Sequence, residues 1–316
     1  MKYQAKTVVV LLLAVLLPTI AAAQESQKAV LITGASTGIG RNLAETLAAE
    51  GHFVYAGARK QADLDQLNAI ENIQAIRLDV TVQEEIDAAV ETVRKGGRGL
   101  YGLVNNAGVS VSGPLIEVEE DDMQFQMDVN LFGPYLVTKA FAPLIIESQG
   151  RITTIGSISG ILAGVLYGPY SMSKHAIEAY ADSLAAEMKK FDVQVSVVEP
   201  GNYNSKIVNS KLQRMKQRGH TTEGSLFKEE IDQLLARPVD RSVYKEPDEV
   251  SAAVMHAMFD ADPKRRYMVV PNQREAEITI RQMVTELVQL NEGQVYSYDR
   301  DALINMLDEA LAASTH

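Results

Sequence analysis

Cysteine is absent from this chain of 316 residues. That excludes disulfide stapling, thiolate metal ligation, a cysteine nucleophile and dithiol redox chemistry. Tryptophan is absent too. Basic residues are outnumbered, 30 Lys and Arg against 41 Asp and Glu, for a formal charge of −11. An acidic chain lacks the electrostatic footprint of a nucleic-acid binder, so no nucleic-acid partner is expected. The five histidines show no metal-ligand spacing, and no metal is expected. Repeats, low-complexity tracts and long linkers are missing. What remains, 46% hydrophobic and 22% charged, is enough to bury a sizeable core.

The longest apolar run lies at the start. Lys2 and Lys6 precede Val8 to Leu17, Pro18 breaks the run, and Ala21-Ala22-Ala23 follows. A positive start, a short apolar centre and small residues at the exit predict a signal peptide over 1–23, cut after Ala23. Cleavage would make the protein exported, periplasmic or secreted. The alternative is an uncleaved anchor with the rest facing the cytoplasm, and only then a membrane partner. The run is short for a bilayer span and contains a proline.

From Lys28 short apolar runs alternate with amphipathic stretches. Strands are predicted at Lys28–Ile32, Phe53–Ala56, Ile73–Leu78, Leu100–Val104, Arg151–Ile155, Val193–Val198 and Tyr267–Val270. Helices are predicted at Arg41–Glu50, Glu84–Arg94, Asp121–Glu147 (kinked at Gly133-Pro134), Pro169–Lys190, Glu249–Phe259, Glu275–Gln289 and Ala302–Leu311. Such alternation predicts an α/β fold, a doubly wound parallel sheet whose strands are buried on both faces. Residues 24–316 read as one domain, with a C-terminal helical extension over 272–316. The polar stretch 202–248 is either a solvated helix face or a lid over the sheet edge.

Thr33-Gly34-Ala35-Ser36-Thr37-Gly38-Ile39-Gly40 follows a strand and opens a helix. Glycines there permit a tight turn and close approach of a pyrophosphate, which the helix N-terminus attracts with its N–H groups. Tyr170 and Lys174 are i and i+4 on one helix, so they share a face. A tyrosine titrates near pH 10, too high for a base at neutral pH, and a neighbouring ammonium favours the phenolate. Tyr170 could then exchange a proton with a substrate hydroxyl or carbonyl.

These motifs together resemble the short-chain dehydrogenase/reductase family, over about Lys28 to Val270. The glycine spacing is similar, Asn105-Asn106-Ala107-Gly108 closes the fourth strand, and Asn130 lies in the next helix. Ser157 ends the fifth strand, 13 residues before Tyr170, Tyr170-x-x-x-Lys174 follows, and Pro200-Gly201 ends the sixth. The resemblance implies a Rossmann fold and an oxidoreductase acting on CH–OH groups. Its catalytic residues would be Asn130 in a water-mediated proton relay, Ser157 binding the substrate oxygen, Tyr170 as acid/base, and Lys174 holding the nicotinamide ribose. It implies cofactor contacts at Gly34, Ser36, Thr37, Gly38, Ile39 and Gly40, at Asp79 (adenine ring), at Asn106 (adenine ribose), and at Pro200, Gly201 and Ser205 near the nicotinamide amide. Ser205 stands where the family often has threonine.

Cofactor choice rests on Arg59. It follows the second strand with no acidic residue before it. A carboxylate there would bond the ribose 2′-hydroxyl of NAD, whereas arginine pairs with the 2′-phosphate of NADP. NADP is therefore expected, NAD being the alternative. The stretches Tyr170–Tyr180 and Val198–Tyr203 look most like the steroid- and retinoid-type branch. That implies a small-molecule alcohol or ketone, apolar in character, and carbonyl reduction as one direction. Leu162, Val165, Leu166 and Tyr167 are candidates for an apolar pocket, or for core. The family resemblance also implies a homo-oligomer. A non-catalytic dinucleotide sensor on the same fold is the competing class, since a fold does not fix a function.

Overall fold

The computed structural model describes residues 27–217, 222–236 and 240–313. The predicted leader lies outside them. Among the described residues seven parallel strands form one sheet in the order β3-β2-β1-β4-β5-β6-β7. They are β1 Ala29–Ile32, β2 Phe53–Ala58, β3 Ile73–Arg77, β4 Gly102–Asn105, β5 Arg151–Ile155, β6 Gln194–Pro200 and β7 Arg266–Val269. All seven predicted strands are present, within a few residues at each end.

Alternation along β1 shows how the layers are held. Val30 and Ile32 pack with Leu43 and Leu47 of α1 (Gly38–Ala49) and Val250 and Val254 of a later helix, Asp248–Phe259. Ala29 and Leu31 point the other way, toward Ile86 and Val90 of Gln83–Gly96 and Phe141 and Ile145 of Gly133–Glu147. A strand turns successive side chains to opposite faces, so a strand covered by helices on both sides is apolar throughout.

In chain order the remaining α-helices among the described residues are α2 (Gln61–Asn68), α3 (Gln83–Gly96), α4 (Glu120–Met127), α5 (Gly133–Glu147), α6 (Gly168–Met188), α7 (Ile207–Gln217), α8 (Lys228–Leu235), α9 (Asp248–Phe259), α10 (Gln273–Asn291) and α11 (Arg300–Ala313). The expected kink takes another form. α4 runs into α5 through a π-helical turn over Asp128–Phe132, so the extra residue precedes Gly133-Pro134. α2 has no counterpart in the sequence reading.

The chain winds from β1 outward to β3, then returns to β4 on the other side of β1. In doubly wound sheets the crevice at such a switch point, beyond the carboxyl ends of the strands, takes the ligand. The turns after β1, β2, β4, β5 and β6 all open there.

Candidate active site

The glycine turn is built for close contact. Gly34 and Gly38 adopt left-handed φ of 66° and 57°, a region that favours glycine. A Cβ on Gly34 would lie 2.8 Å from the Ala107 Cα, and one on Gly38 would lie 3.2 Å from the Ser205 Cβ. One on Gly40 would collide with the Asn106 amide. Ser205 is thus brought against the turn, as expected. Thr37 is the N-cap of α1, yet no side chain caps the helix. The first-turn N–H groups of Gly38, Ile39 and Gly40, with Ser36 and Thr37 beside them, have no α-helical partner to their N-terminal side. That is a donor set suited to a diphosphate.

Asn106 braces this turn from β4. Its Nδ2 donates to the carbonyls of Thr33 (2.9 Å) and Gly34 (3.1 Å). The Thr33 hydroxyl in turn accepts from the backbone N–H of Asn106 and Ala107, each at 3.0 Å. Thr33 was not singled out in the sequence. The only signal was its place immediately before Gly34.

Arg59 and Asp79 sit at the ends of β2 and β3. They face each other at 3.5 Å across a partly exposed ion pair. Burial pushes the Asp79 carboxyl up, but hydrogen bonds from Thr81 and the charge of Arg59 outweigh it and hold it below its usual value. The Arg59 side chain is 58% exposed, and its carbonyl accepts from Arg77 at 2.9 Å.

Ser157, Tyr170 and Lys174 come together at the ends of β5 and α6. The Ser157 Oγ accepts the Ser159 N–H at 3.1 Å and caps a short helical turn. Tyr170, in the first turn of α6, has the Ser157 side chain close enough to favour its phenolate. Lys174 is buried, and its Nζ donates to the Ile155 carbonyl at 2.8 Å. That Nζ lies 5.7 Å from the centre of the Tyr170 ring. Burial pulls Lys174 down to about 8, opposed by the charge of Glu178.

Tyr170 differs from the expectation. Burial raises its pKa above the ordinary tyrosine value, and the nearby Ser157 side chain only partly offsets this. The physical reason is the penalty on an anion taken out of water, against an ammonium aimed at Ile155 rather than at the phenol.

Asn130 occupies the π-helical turn and is 2% exposed. Its Oδ1 accepts the Val109 N–H at 2.8 Å, and its Nδ2 donates to the Val109 carbonyl (3.0 Å) and the Ser173 Oγ (3.1 Å). The Ser173 hydroxyl donates to the Tyr170 carbonyl at 2.7 Å. The side chain therefore ties the 109 loop to α6. An α-helical turn would satisfy the Asn130 main-chain carbonyl with the N–H of residue 134, but Pro134 has none.

Pro200 ends β6, and the Gly201 N–H bonds the Val269 carbonyl at 2.8 Å. A side chain on Gly201 would run into Glu275 of α10, whose carboxylate accepts the Asn202 N–H at 2.8 Å. The C-terminal extension thus touches the site, which the sequence did not reveal. Over the 110–112 loop lies α7, with Arg214 bonded to Asp122 at 2.7 Å and Lys211 to Ser112 at 3.2 Å. Of the apolar candidates, Leu166 is buried with a left-handed φ of 68°, Val165 is exposed, and Leu162 and Tyr167 are half-buried.

A glycine cradle and a Ser–Tyr–Lys cluster thus lie beyond the carboxyl ends of the parallel strands. The short chain dehydrogenase family model matches residues 28–216. The chain belongs to the short-chain dehydrogenase family. It is 34% identical over 266 residues to the bovine (Bos taurus) mitochondrial D-beta-hydroxybutyrate dehydrogenase, covering 76% of each chain. It is 39% identical over 197 residues to human (Homo sapiens) 17-beta-hydroxysteroid dehydrogenase type 6, covering 60% of this chain and 62% of that one. Among solved structures, a short-chain dehydrogenase from Streptomyces avermitilis superposes with a TM-score of 0.71 at 28% identity, covering 85% of this chain and 96% of the other. An actinorhodin polyketide ketoreductase variant with NADPH gives 0.65 at 27% identity, covering 78% and 96%. The family and these relatives place the protein among oxidoreductases of the steroid- and retinoid-like branch, which act on CH–OH groups with a nicotinamide dinucleotide.

Proposed function

We propose that the protein moves a hydride between NADP(H) and a secondary alcohol or ketone of an apolar, steroid-, retinoid- or lipid-like molecule. The closeness of the Ser157 and Tyr170 side chains, one turn from buried Lys174, carries this reading. Two adjacent hydroxyls offer hydrogen bonds to a single substrate oxygen. A bound nicotinamide would supply or accept the hydride. Ser157 holds the oxygen, and Tyr170 gives a proton to it during reduction or takes one during oxidation. Lys174 carries positive charge beneath the tyrosine and holds the nicotinamide ribose. The Asn130 main-chain carbonyl, deprived of its α-helical donor by Pro134, is suited to hold a water that returns the proton to solvent.

The uncapped α1 N-terminus fits the diphosphate through Gly34, Ser36, Thr37, Gly38, Ile39 and Gly40. Asp79 would border the adenine. Asn106 acts through the turn it braces. Pro200, Gly201 and Ser205 would border the nicotinamide. Exposed Arg59 suits a 2′-phosphate. NAD remains the second reading, because Asp79 already lies 3.5 Å from that guanidinium.

We place α7 as the lid over the substrate, the protein as a homo-oligomer, and the mature form as exported after loss of 1–23. An intact Met1 in the mass of the purified protein would instead establish the anchor. Turnover of a ketone panel with NADPH tests the main reading. Tight NADPH binding without turnover of any ketone or alcohol would favour the sensor.

A further inference from the structure

Behind the catalytic cluster lie two carboxylates that the mechanism does not use. Glu178 is one turn beyond Lys174 on α6, and Glu199 is the residue before Pro200 on β6. Glu199 is 2% exposed, and both its Oε1 and the Glu178 Oε1 are buried without a hydrogen bond. Arg266 of β7 reaches both, at 3.0 Å from the Glu178 Oε2 and 3.2 Å from the Glu199 Oε1. Two buried carboxylates on one guanidinium, each with an oxygen that makes no hydrogen bond, are stabilised by holding one proton, since a single arginine offsets a single charge. The second Glu178 oxygen packs on backbone. It lies 2.9 Å from where a Cβ of Gly156 would be and 3.0 Å from that of Gly160. Gly156 joins Ile155, whose carbonyl holds Lys174, to Ser157, which lies beside Tyr170.

We propose that Glu178 and Glu199, sharing one proton and clamped by Arg266, are positioning residues for Lys174 and Ser157. The inference rests on the dehydrogenase reading of Lys174, but the pair itself is a property of the fold. Glu178 wedges beneath the strand end that carries both catalytic anchors. Its negative charge supports the Lys174 ammonium against burial. Below about pH 7 Glu199 limits the pair to a single charge, because burial and the neighbouring Glu178 hold its carboxyl up at about 7. The other charged groups facing the pair are Asp182, one turn further along α6, and Arg265 beside Arg266. Asp182 bonds both arginines, at 2.8 and 3.1 Å. Across the β6 end, Glu275 of α10 bonds Asn202.

The full-length protein with 13C-labelled lysine side chains tests this. The Lys174 resonance is assigned by its loss in Lys174→Met. We expect its titration midpoint to fall by about half a pH unit or more in Glu178→Gln, which removes the adjacent charge while keeping the shape. In Glu199→Gln the midpoint stays near the wild-type value, because Glu178 is the carboxylate that acts on the Lys174 ammonium. We expect wild-type kcat to show an inflection near pH 7 from the Glu199 carboxyl, and Glu199→Gln to lack it with cofactor affinity unchanged. Both variants titrating like wild type would overturn the proposal. So would a uniform loss of activity at every pH with unmoved midpoints, which marks a purely structural role. A variant that fails to fold is replaced by Glu178→Asp, whose shortened reach should lower the midpoint partway. A wild-type protein without turnover sinks the dehydrogenase reading and leaves the lysine titration to decide the pair.

Discussion

Lys174 spends one of its N–H donors on the carbonyl of Ile155, at 2.8 Å, inside a buried site. The cost of that burial is a testable pH effect. The folded pKa of about 8 lies below the ordinary 10.5, so between these values the unfolded chain binds more protons. Stability then rises with pH across that window. Replacing Lys174 by Met removes the effect. The Tm of Lys174→Met minus that of wild type should shrink as pH goes from about 7.5 to about 10. A constant difference in thermal melts would contradict the burial of a charged lysine here.

Arg59 is predicted to select the phosphorylated cofactor. Hydrogen bonds to charged groups contribute about 1.5–3 kcal/mol, so Arg59→Ala should weaken NADPH binding by about tenfold to a hundredfold. NADH binding should change little. Fluorescence titration with both cofactors checks this. An equal effect on both would assign Arg59 to the scaffold alone.

Gly40→Ala should damage the cradle. The new methyl would meet the Asn106 amide and the Gly34 carbonyl, which must then move apart. We expect loss of affinity for both cofactors alike, by about tenfold or more, with the rest of the sheet intact by circular dichroism. Unchanged affinity would show that the turn does not hold the diphosphate.

Asn130→Ala would strand the backbone groups of Val109 and a donor-acceptor partner at Ser173. Each unsatisfied buried group costs about 1–3 kcal/mol. A lower Tm together with lower kcat is expected, measured by calorimetry and steady-state kinetics. Retained stability with reduced kcat would place the side chain itself in the proton path.

The sheet was legible because its strands are covered on both faces, leaving uninterrupted apolar runs such as Ala29 to Ile32. The cradle and the Ser157–Tyr170–Lys174 cluster were legible from spacing, since each residue's element and position fix where it meets the others. Helix α2 was not, because Gln61–Asn68 buries only Leu64 and Leu67, too few to make a periodic stripe. The π-helical turn was hidden because a glycine-proline pair draws attention to itself, while the extra residue lies before it. Glu178 and Glu199 read as ordinary charged residues 21 positions apart. Only the packing of α6 against β6 brings them together. The upward shift at Tyr170 was likewise invisible, because burial is a property of the assembled site and not of the motif.

The central claim is that Tyr170 transfers the proton. Carbonyl reduction by Tyr170→Phe, assayed with NADPH at saturating ketone, tests it most directly. General acid–base catalysis contributes about a hundredfold to ten-thousandfold. The account predicts that kcat falls by at least the lower figure while NADPH affinity stays within about twofold. Turnover at near the wild-type rate would contradict it.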